Sequence, residues 1–298
     1  MNALHRCRVR PSGGVANLAD TPQHRYVGGN MHRWVLIFMA LGAGLVFQFR
    51  SAGGSEAGEG VLRHCPEGTP PILMAAAEAV ARRLDALDRD LAEAAHRLSA
   101  VDLDQDAART VVGQLQLRNA DIVIDACTIS PRGIMLLVEP SRYRSFEGMD
   151  ISDQEQVRTL NRTRRPVMSR VFRTVEGMEA VDVEYPVAGP DGKHRGAVSV
   201  IFSPWELIGK SLNDLAAGTP VVIRAMQPDG RIIYGADPAH RTFPGLLRMA
   251  KRIAAERQGH GACSDFDTGS RRQVRYDVWR VSLTLHGMLW RLASFHPE

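Results

Sequence analysis

The feature that most constrains the fold is a series of strand-like segments between residues 139 and 202. In one of them, Val181 and Val183 alternate with Asp182 and Glu184. Because successive side chains of a strand point to opposite faces, this period of two is typical of a half-buried antiparallel strand. Glycine-containing turns separate three such segments, which are predicted as strands at residues 166–174, 180–187 and 195–202. The sequence therefore predicts an antiparallel sheet in the middle of the chain.

The same order of elements is predicted twice after residue 120. Two short strands, a helix and three further strands fill residues 121–216, with a linking helix at 205–215, and the same order fills residues 217–298. The remaining strands are predicted at residues 122–128, 134–139, 221–226, 231–234, 262–267, 273–281 and 288–295. The two further helices are predicted at residues 153–164 and 244–257. These patterns indicate an α+β protein with two sheet modules, 121–216 and 217–298.

A long helical segment precedes the first module within residues 70–120. Its apolar residues recur at alternating spacings of four and three, at Leu73, Ala77, Val80, Leu84, Leu87, Leu91, Ala94 and Leu98. A heptad seam of this kind is typical either of a helix shared between two subunits or of a helix packed on its own sheet. Both alternatives stay open here: a parallel homodimer through helix 71–100, or an intramolecular core. A second helix is predicted at residues 104–119.

One segment, residues 34–50, is almost entirely apolar, whereas polar and apolar residues are mixed in the rest of the chain. It is short for a membrane span, which needs about 20 apolar residues, and suits either an uncleaved anchor or the core of a cleaved signal. Arginines precede it and glutamates follow it, which favours a cytoplasmic N-terminus. We therefore expect a single-pass membrane protein with its C-terminal domain outside, or a secreted protein if the signal is cleaved. Residues 1–33 are expected to be a cytoplasmic tail, or a wrongly assigned one if the true start is Met31. Residues 51–69 are expected to be a linker.

Several short motifs follow one another in the order found in a known family. They are Gly148-Met-Asp-Ile-Ser-Asp-Gln, Pro166-Val-Met-Ser, Tyr185-Pro-Val and Gly196-Ala-Val-Ser-Val-Ile. This order resembles Cache domains, the extracytoplasmic PAS-like sensor modules of microbial receptors. Two sheets behind one long helix, with Gly287-Met-Leu-Trp-Arg-Leu-Ala near the end, are similar to the double Cache arrangement. The resemblance implies two PAS-like modules, the first membrane-distal and the second membrane-proximal, and a small-molecule sensor. Receptors of this family usually continue into a cytoplasmic output domain, whereas this sequence ends at Glu298, so we expect a sensor without its own output domain and a separate signalling partner.

The resemblance also implies a binding site on the concave face of the first sheet, under the loop that joins strands two and three. The residues expected to bind ligand are Arg142, Tyr143, Arg170, Phe172, Asp182 and Tyr185. Three arginines of the covering helix, Arg158, Arg162 and Arg165, add positive charge. Because an arginine pairs bidentately with a carboxylate, Arg170 is expected to hold a small carboxylate ligand.

Other classes of function are not favoured by the sequence. The basic residues neither form a long run nor interleave with stacking aromatics, so we expect no nucleic-acid partner. No phosphate-binding glycine loop, HExxH motif or nucleophile elbow occurs, so we expect no enzyme, no cofactor and no metal. Cys127 is expected to be a buried core residue rather than the disulfide partner of Cys65. The alternative function is a structural or interaction protein of the envelope that uses the same fold without a ligand.

Overall fold

The computed structural model describes residues 60–213, 215, 222–235, 244–255, 259–267 and 272–297. The expected tail 1–33 and the expected membrane segment 34–50 lie outside these residues. Among the residues that are described, no helix combines the length and the apolar character that crossing a membrane requires.

The described part of the chain contains five α-helices and twelve strands. The helices are α1 (Pro71–Leu98), α2 (Asp106–Arg118), α3 (Glu155–Thr163), α4 (Pro204–Leu212) and α5 (Pro244–Ala255), and a 3₁₀ segment covers Ser141–Phe146. The first seven strands are β1 (Leu62–His64), β2 (Val123–Ile129), β3 (Met135–Glu139), β4 (Val167–Met168), β5 (Phe172–Arg173), β6 (Glu179–Ala188) and β7 (His194–Phe202). The other strands are β8 (Val222–Met226), β9 (Ile232–Tyr234), β10 (His260–Asp267), β11 (Arg272–Leu285) and β12 (Met288–Pro297).

The first module is a six-stranded antiparallel sheet in the order β3-β2-β7-β6-β4, with β5 also paired to β6. It confirms the predicted sheet, with one difference. The single strand expected at 166–174 is split into β4 and β5, because the chain leaves the ladder at Ser169 to Val171. The Ser169 amide still donates to the Asp182 carbonyl at 2.8 Å, but the Asp182 amide donates to Ser169 Oγ at 2.9 Å, so a side chain takes the place of one backbone acceptor of the ladder.

The second module is another six-stranded antiparallel sheet, in the order β1-β11-β12-β8-β9, with β10 also paired to β11. Its strands from β8 onward lie close to their predicted positions. Strand β1 was not expected, because Leu62–His64 falls inside the segment 51–69 that the sequence indicated to be a linker. These three residues pair antiparallel with Thr284, Leu283 and Ser282 of β11. The chain therefore contributes a strand to the second sheet before it enters α1.

The long helix α1 packs on both sheets of its own chain. It contacts β6 and β7 of the first module and β11 and β12 of the second. All eight residues of the heptad seam are buried and belong to a hydrophobic core that includes residues of both modules. Leu84 and Leu91 are 2% and 0% exposed. The expectation of a homodimer through this seam is therefore wrong for these side chains, because the apolar face that a partner helix would need is already covered.

A buried polar cluster joins α1 to both modules. Asp88 Oδ1 accepts hydrogen bonds from the Tyr185 hydroxyl on β6, at 2.7 Å, and from His286 Nε2, at 2.6 Å. His286 and Gly287 form the two-residue turn between β11 and β12, with φ of 48° and 80°. Positive φ at both positions is characteristic of the type I′ turn, which matches the twist of a hairpin. The turn thus directs the His286 ring into the space between α1 and the first sheet.

Candidate functional site

A small cavity, with an enclosed volume of about 20 Å³, lies on the face of the first sheet that α1 does not cover. The lining residues are Asp125, Cys127, Met135, Ile151, Gln154, Phe172, Thr174, Val175, Glu176, Asp182, Ser199 and Ile201. Strand alternation explains this division of the sheet. Val181, Val183 and Tyr185 join the core that contains α1, whereas Asp182 and Glu184 point to the other face.

Asp182 lies at the centre of this face and is almost fully buried. Ser199 Oγ donates a hydrogen bond to its Oδ1 at 2.6 Å, and Gln156 Nε2 donates to its Oδ2 at 3.2 Å. Burial raises the pKa of Asp182 to about 6, although the hydrogen bonds from Ser199 and Gln156 oppose the shift. The position of this carboxyl group is therefore fixed by strand β7 and helix α3.

Asp125 faces the same cavity from β2 and is only 1% exposed. Its Oδ2 atom has no hydrogen-bond partner among the described residues. Burial raises the pKa of Asp125 to about 9, with further contributions from the charges of Glu176 and Asp182 and from a side-chain hydrogen bond with Glu176, while Arg142 opposes the shift. An acceptor without a donor in a buried site costs free energy, so this atom is available to a ligand.

Glu184 lies behind Asp182, two residues along β6 on the same face, and is completely buried. Burial and the neighbouring charge of Asp182 raise the pKa of Glu184 well above its usual range. Three carboxyl groups from β2 and β6 therefore share one region of low dielectric constant.

The rest of the lining combines apolar side chains with one further polar atom that lacks a partner. Phe172 and Val175 form part of the wall on one side, and Met135 and Ile151 part of the wall on the other. Thr174 is buried, and its Oγ1 has no hydrogen-bond partner in the described part of the chain. Cys127 is a free buried thiol, as expected, and burial raises its pKa.

An ion-pair cluster fixes the loop beside the cavity. Arg109 of α2 donates to Glu147 through both terminal nitrogens, at 2.8 and 3.2 Å, and also to Glu139 at 3.1 Å. The Val138 amide donates to Glu147 at 3.0 Å. Burial alone would raise the pKa of Glu147, but the hydrogen bonds from Arg109 and Val138 lower it. The 3₁₀ segment between these glutamates is thereby tied to α2.

The structure places two of the six expected site residues, Phe172 and Asp182, at the cavity. Arg170 lies outside it: its side chain is 58% exposed and stands 3.9 Å from Asp229 of the second module. The expected alternation fails there because β4 and β5 are separate strands. Tyr185 faces α1 rather than the cavity.

The covering residues also differ from the expectation. The Arg142 guanidinium lies 4.8 Å from the centre of the Tyr143 ring and is exposed, and Tyr143 packs with Phe146 on the small core beside the cavity. The three arginines of the covering helix, Arg158, Arg162 and Arg165, are all exposed. The polar lining is therefore acidic, opposite in sign to the arginine-rich site that the sequence indicated.

Sequence reasoning missed Asp125, Glu176, Ser199 and Gln156. A signal for Asp125 was present, since it is the only charged residue in the apolar segment Val123–Ile129. A charged residue inside a buried strand is rare unless it has a partner or a role. The contributions of Gln156 and Ser199 depend on the packing of α3 and β7 against β6, which no local pattern shows.

The comparisons with known proteins cover the part of the chain that contains the cavity. Residues 82–204 match the model of the HK/GC/chemotaxis protein-like sensor domain, and this range contains every residue that lines the cavity. No curated protein matches the chain in sequence.

Solved structures with a similar fold are extracellular parts of receptors. An extracellular ligand-binding receptor from Desulfohalobium retbaense is 29% identical, with a TM-score of 0.64 over 76% of this chain and 39% of that one. The chain thus matches about two fifths of that receptor. The ligand-binding domain of the Pseudomonas aeruginosa amino acid chemoreceptor PctC, in complex with GABA, is 15% identical, with a TM-score of 0.55 over 75% of this chain and 95% of that one. The PctB domain from the same organism, in complex with L-Arg, is 13% identical, with a TM-score of 0.56 over 76% and 91%.

The expected fold class is confirmed by these likenesses, since one long helix and two antiparallel sheet modules are present in the order that the sequence indicated. Residues 82–204 are therefore similar to sensor domains of the HK/GC/chemotaxis type, and the chain has the fold of the Cache-type extracellular ligand-binding domains of chemoreceptors and histidine kinases.

Proposed function

We propose that the first module binds a small organic cation in its acidic cavity and that this binding is the sensory input of the protein. The observation that carries the proposal is the lining itself. Asp125, Glu176 and Asp182 converge on one cavity, whereas no lysine or arginine is among the described residues that line it. An ammonium group would donate hydrogen bonds to these carboxylates and neutralise their charge.

Two buried atoms of the lining support a bound ligand rather than a filled core. Asp125 Oδ2 and Thr174 Oγ1 both lack a partner among the described residues, although native proteins pair the large majority of buried polar atoms. A primary ammonium group carries three N–H donors and would satisfy both acceptors. The Phe172 ring adds a surface on which a cation is favourable.

The cavity is small: its enclosed volume is about 20 Å³, well below the roughly 300 to 1,000 Å³ of common ligand pockets. A bound molecule must therefore be small, and its entry requires the lining side chains to move apart. GABA and L-Arg are bound in the similar PctC and PctB domains, and each carries a cationic nitrogen. This supports recognition of a cationic nitrogen in the present cavity. A ligand held only through a carboxylate on Arg170, as the sequence suggested, has no counterpart in the lining.

The location of the domain is part of the same proposal. We infer that residues 34–50 anchor the chain in the membrane and that the two modules lie outside. The arginines before this apolar segment and the extracellular location of the similar receptors support the orientation.

A thermal-shift screen with the purified protein tests the proposal. The panel contains putrescine and agmatine as cations, L-arginine and GABA as molecules that carry a cationic nitrogen together with a carboxylate, and succinate as an anion without a cationic group. A ligand that binds only the folded state raises the melting temperature, so at least one cation should do so and succinate should not. The shift should be lost in Asp125→Asn and kept in Asp104→Asn, which changes an exposed aspartate in the loop before α2. No response to any cation would contradict the proposal.

A further inference from the structure

The three buried carboxyl groups of the first module cannot all carry a charge in an empty cavity. Asp182 and Glu184 lie two residues apart on one face of β6, and Asp125 faces the same region from β2. Adjacent carboxylates in a medium of low dielectric constant repel strongly, so such groups retain protons at neutral pH.

The groups that face this cluster do not supply enough positive charge to change that conclusion. From β2 comes the Cys127 thiol, from β7 the Ser199 hydroxyl, from α3 the Gln156 amide, from the turn before β6 the Glu176 carboxylate and from the 3₁₀ segment the Arg142 guanidinium. Ser199 and Gln156 do not titrate in the physiological range, and Glu176 adds negative charge. Arg142 is the single cation among these described neighbours, and it is exposed.

Hydrogen bonding within the cluster distinguishes its members. Asp182 accepts from Ser199 and Gln156, which favours its charged form. Asp125 receives no hydrogen bond at Oδ2 from the described residues and stands near Glu176. The pKa values agree with this division, since that of Asp182 is about 6 and that of Asp125 about 9. Asp125 is therefore the group that keeps a proton at neutral pH while it lines the cavity.

We propose that the cavity exchanges a proton for its cationic ligand, so that ligand and proton compete for Asp125 and the sensor responds to both at one site. This inference rests on the proposed function. When an ammonium group enters, the Asp125 carboxyl group transfers its proton to solvent and the resulting carboxylate pairs with the ammonium group. No covalent bond to carbon or nitrogen forms or breaks. Charge at Asp125 balances because one proton leaves for the one ammonium group that pairs with it.

The consequence is a pH-dependent affinity with a defined sign. Putrescine remains a dication between pH 6 and pH 8, because alkylamines have pKa values near that of lysine, about 10.4. A change in its affinity over this range would therefore report on the protein. Release of about one proton predicts that the affinity increases as pH rises, by up to about tenfold per pH unit.

Titration calorimetry of the full chain with putrescine measures the exchange directly. Binding is measured at pH 7 in several buffers with different enthalpies of ionisation. If a proton is released, the observed heat varies linearly with the ionisation enthalpy of the buffer, and the slope gives the number of protons, expected to be about one. Asp125→Asn should lower that number towards zero, and the control Asp104→Asn should leave it unchanged.

Infrared spectroscopy of the same proteins gives a readout that does not depend on heat. A protonated carboxylic acid has a carbonyl stretch that a carboxylate lacks. The protein without ligand at pH 7 should show this band, putrescine should reduce it, and Asp125→Asn should remove the part that putrescine reduces. A cooperative melting transition in the variant, at a temperature no lower than that of wild type, shows that it is folded, since asparagine has nearly the same shape as protonated aspartate.

The outcomes separate this inference from the proposed function. Putrescine binding with a heat that is independent of the buffer, or a wild-type proton count in Asp125→Asn, would overturn the exchange and leave the cation site intact. The absence of binding by putrescine and by every other cation of the panel would overturn both.

Discussion

The Tyr185 hydroxyl donates a 2.7 Å hydrogen bond to Asp88 Oδ1 across 97 residues of sequence, inside the core between β6 and α1. The same oxygen is 2.6 Å from His286 Nε2 in the second module. Strand β6 thus carries Asp182 on the face with the cavity and Tyr185 on the face with α1. A displacement of this strand would therefore move side chains on both faces of the sheet.

Removal of this hydroxyl should destabilise the protein without affecting ligand binding. Tyr185→Phe leaves Asp88 with one hydrogen bond fewer in a buried site, which typically costs about 1 to 3 kcal/mol in the free energy of unfolding. Denaturant unfolding measures the loss, and the half-buried Tyr143→Phe serves as the control with little change. Putrescine affinity should match wild type in both variants. An unchanged free energy of unfolding in Tyr185→Phe would show that the hydrogen bond between Tyr185 and Asp88 does not contribute to stability.

The heptad seam of α1 should behave as core. Leu84→Ala should lower the free energy of unfolding by about 2 to 5 kcal/mol, because the substitution removes a buried side chain and leaves a cavity. Arg89→Ala, on the exposed face of the same helix, is the matched control and should change it by less than about 0.5 kcal/mol. Loss of self-association in Leu84→Ala with normal stability would restore the seam as a dimer interface.

Substitutions of Asp125, which lines the cavity, and of Arg170, which is exposed, should distinguish the cavity from the surface as the binding site. A charged hydrogen bond contributes about 1.5 to 3 kcal/mol, so Asp125→Asn should weaken cation binding by about ten-fold to a hundred-fold. Arg170→Ala should leave the affinity nearly unchanged, because this side chain is exposed and lies near Asp229. Calorimetric dissociation constants for both variants decide between the sites. A large loss in Arg170→Ala alone would favour the carboxylate site that the sequence suggested.

The stability of the protein without ligand should depend on pH through Asp125. Its pKa is about 9 in the folded state and near 3.8 when unfolded, so between these values the folded state binds more protons. The contribution of Asp125 to the free energy of unfolding therefore falls as pH rises through this range. Asp125→Asn removes that penalty, so its melting temperature should exceed that of wild type by more at pH 8 than at pH 5. A constant difference across this range would mean that the carboxyl group titrates normally.

The orientation in the membrane can be tested with a fused reporter. If residues 34–50 anchor the chain and the modules lie outside, a reporter that is active only in the cytoplasm should be silent when fused after Glu298. A reporter that is active only outside the cytoplasm, fused at the same position, is the matched control and should be active. The reverse result would contradict the proposed location.

Local patterns in the sequence predicted the elements well and the site only in part. Alternation correctly separated Val181 and Val183 from Asp182, because one side of the sheet faces an apolar core. The linking helix predicted at 205–215 is present as α4, and Ser203 caps it: its Oγ accepts a 3.2 Å hydrogen bond from the Glu206 amide. Such signals depend on residues that are close in sequence.

What could not be predicted depends on contacts between distant segments. Strand β1 exists because β11 offers a free edge to pair with, and nothing in Leu62–His64 alone indicates a strand. Arg170 was misplaced because the break between β4 and β5 is fixed by Ser169 bonding to the Asp182 amide. The acidic character of the cavity arises only when β2 and β6 are placed on either side of β7.

The burial of the α1 seam also determines what kind of neighbour this helix can accept. With the leucines and alanines covered by the two sheets, the exposed residues of α1 are Pro71, Arg82, Arg89, Glu93 and His96. A protein that docks along this face would meet mainly charged groups in water, and exposed charge pairs weaken as salt screens them. Association through α1 would therefore depend strongly on ionic strength, whereas an apolar seam would have been nearly insensitive to it.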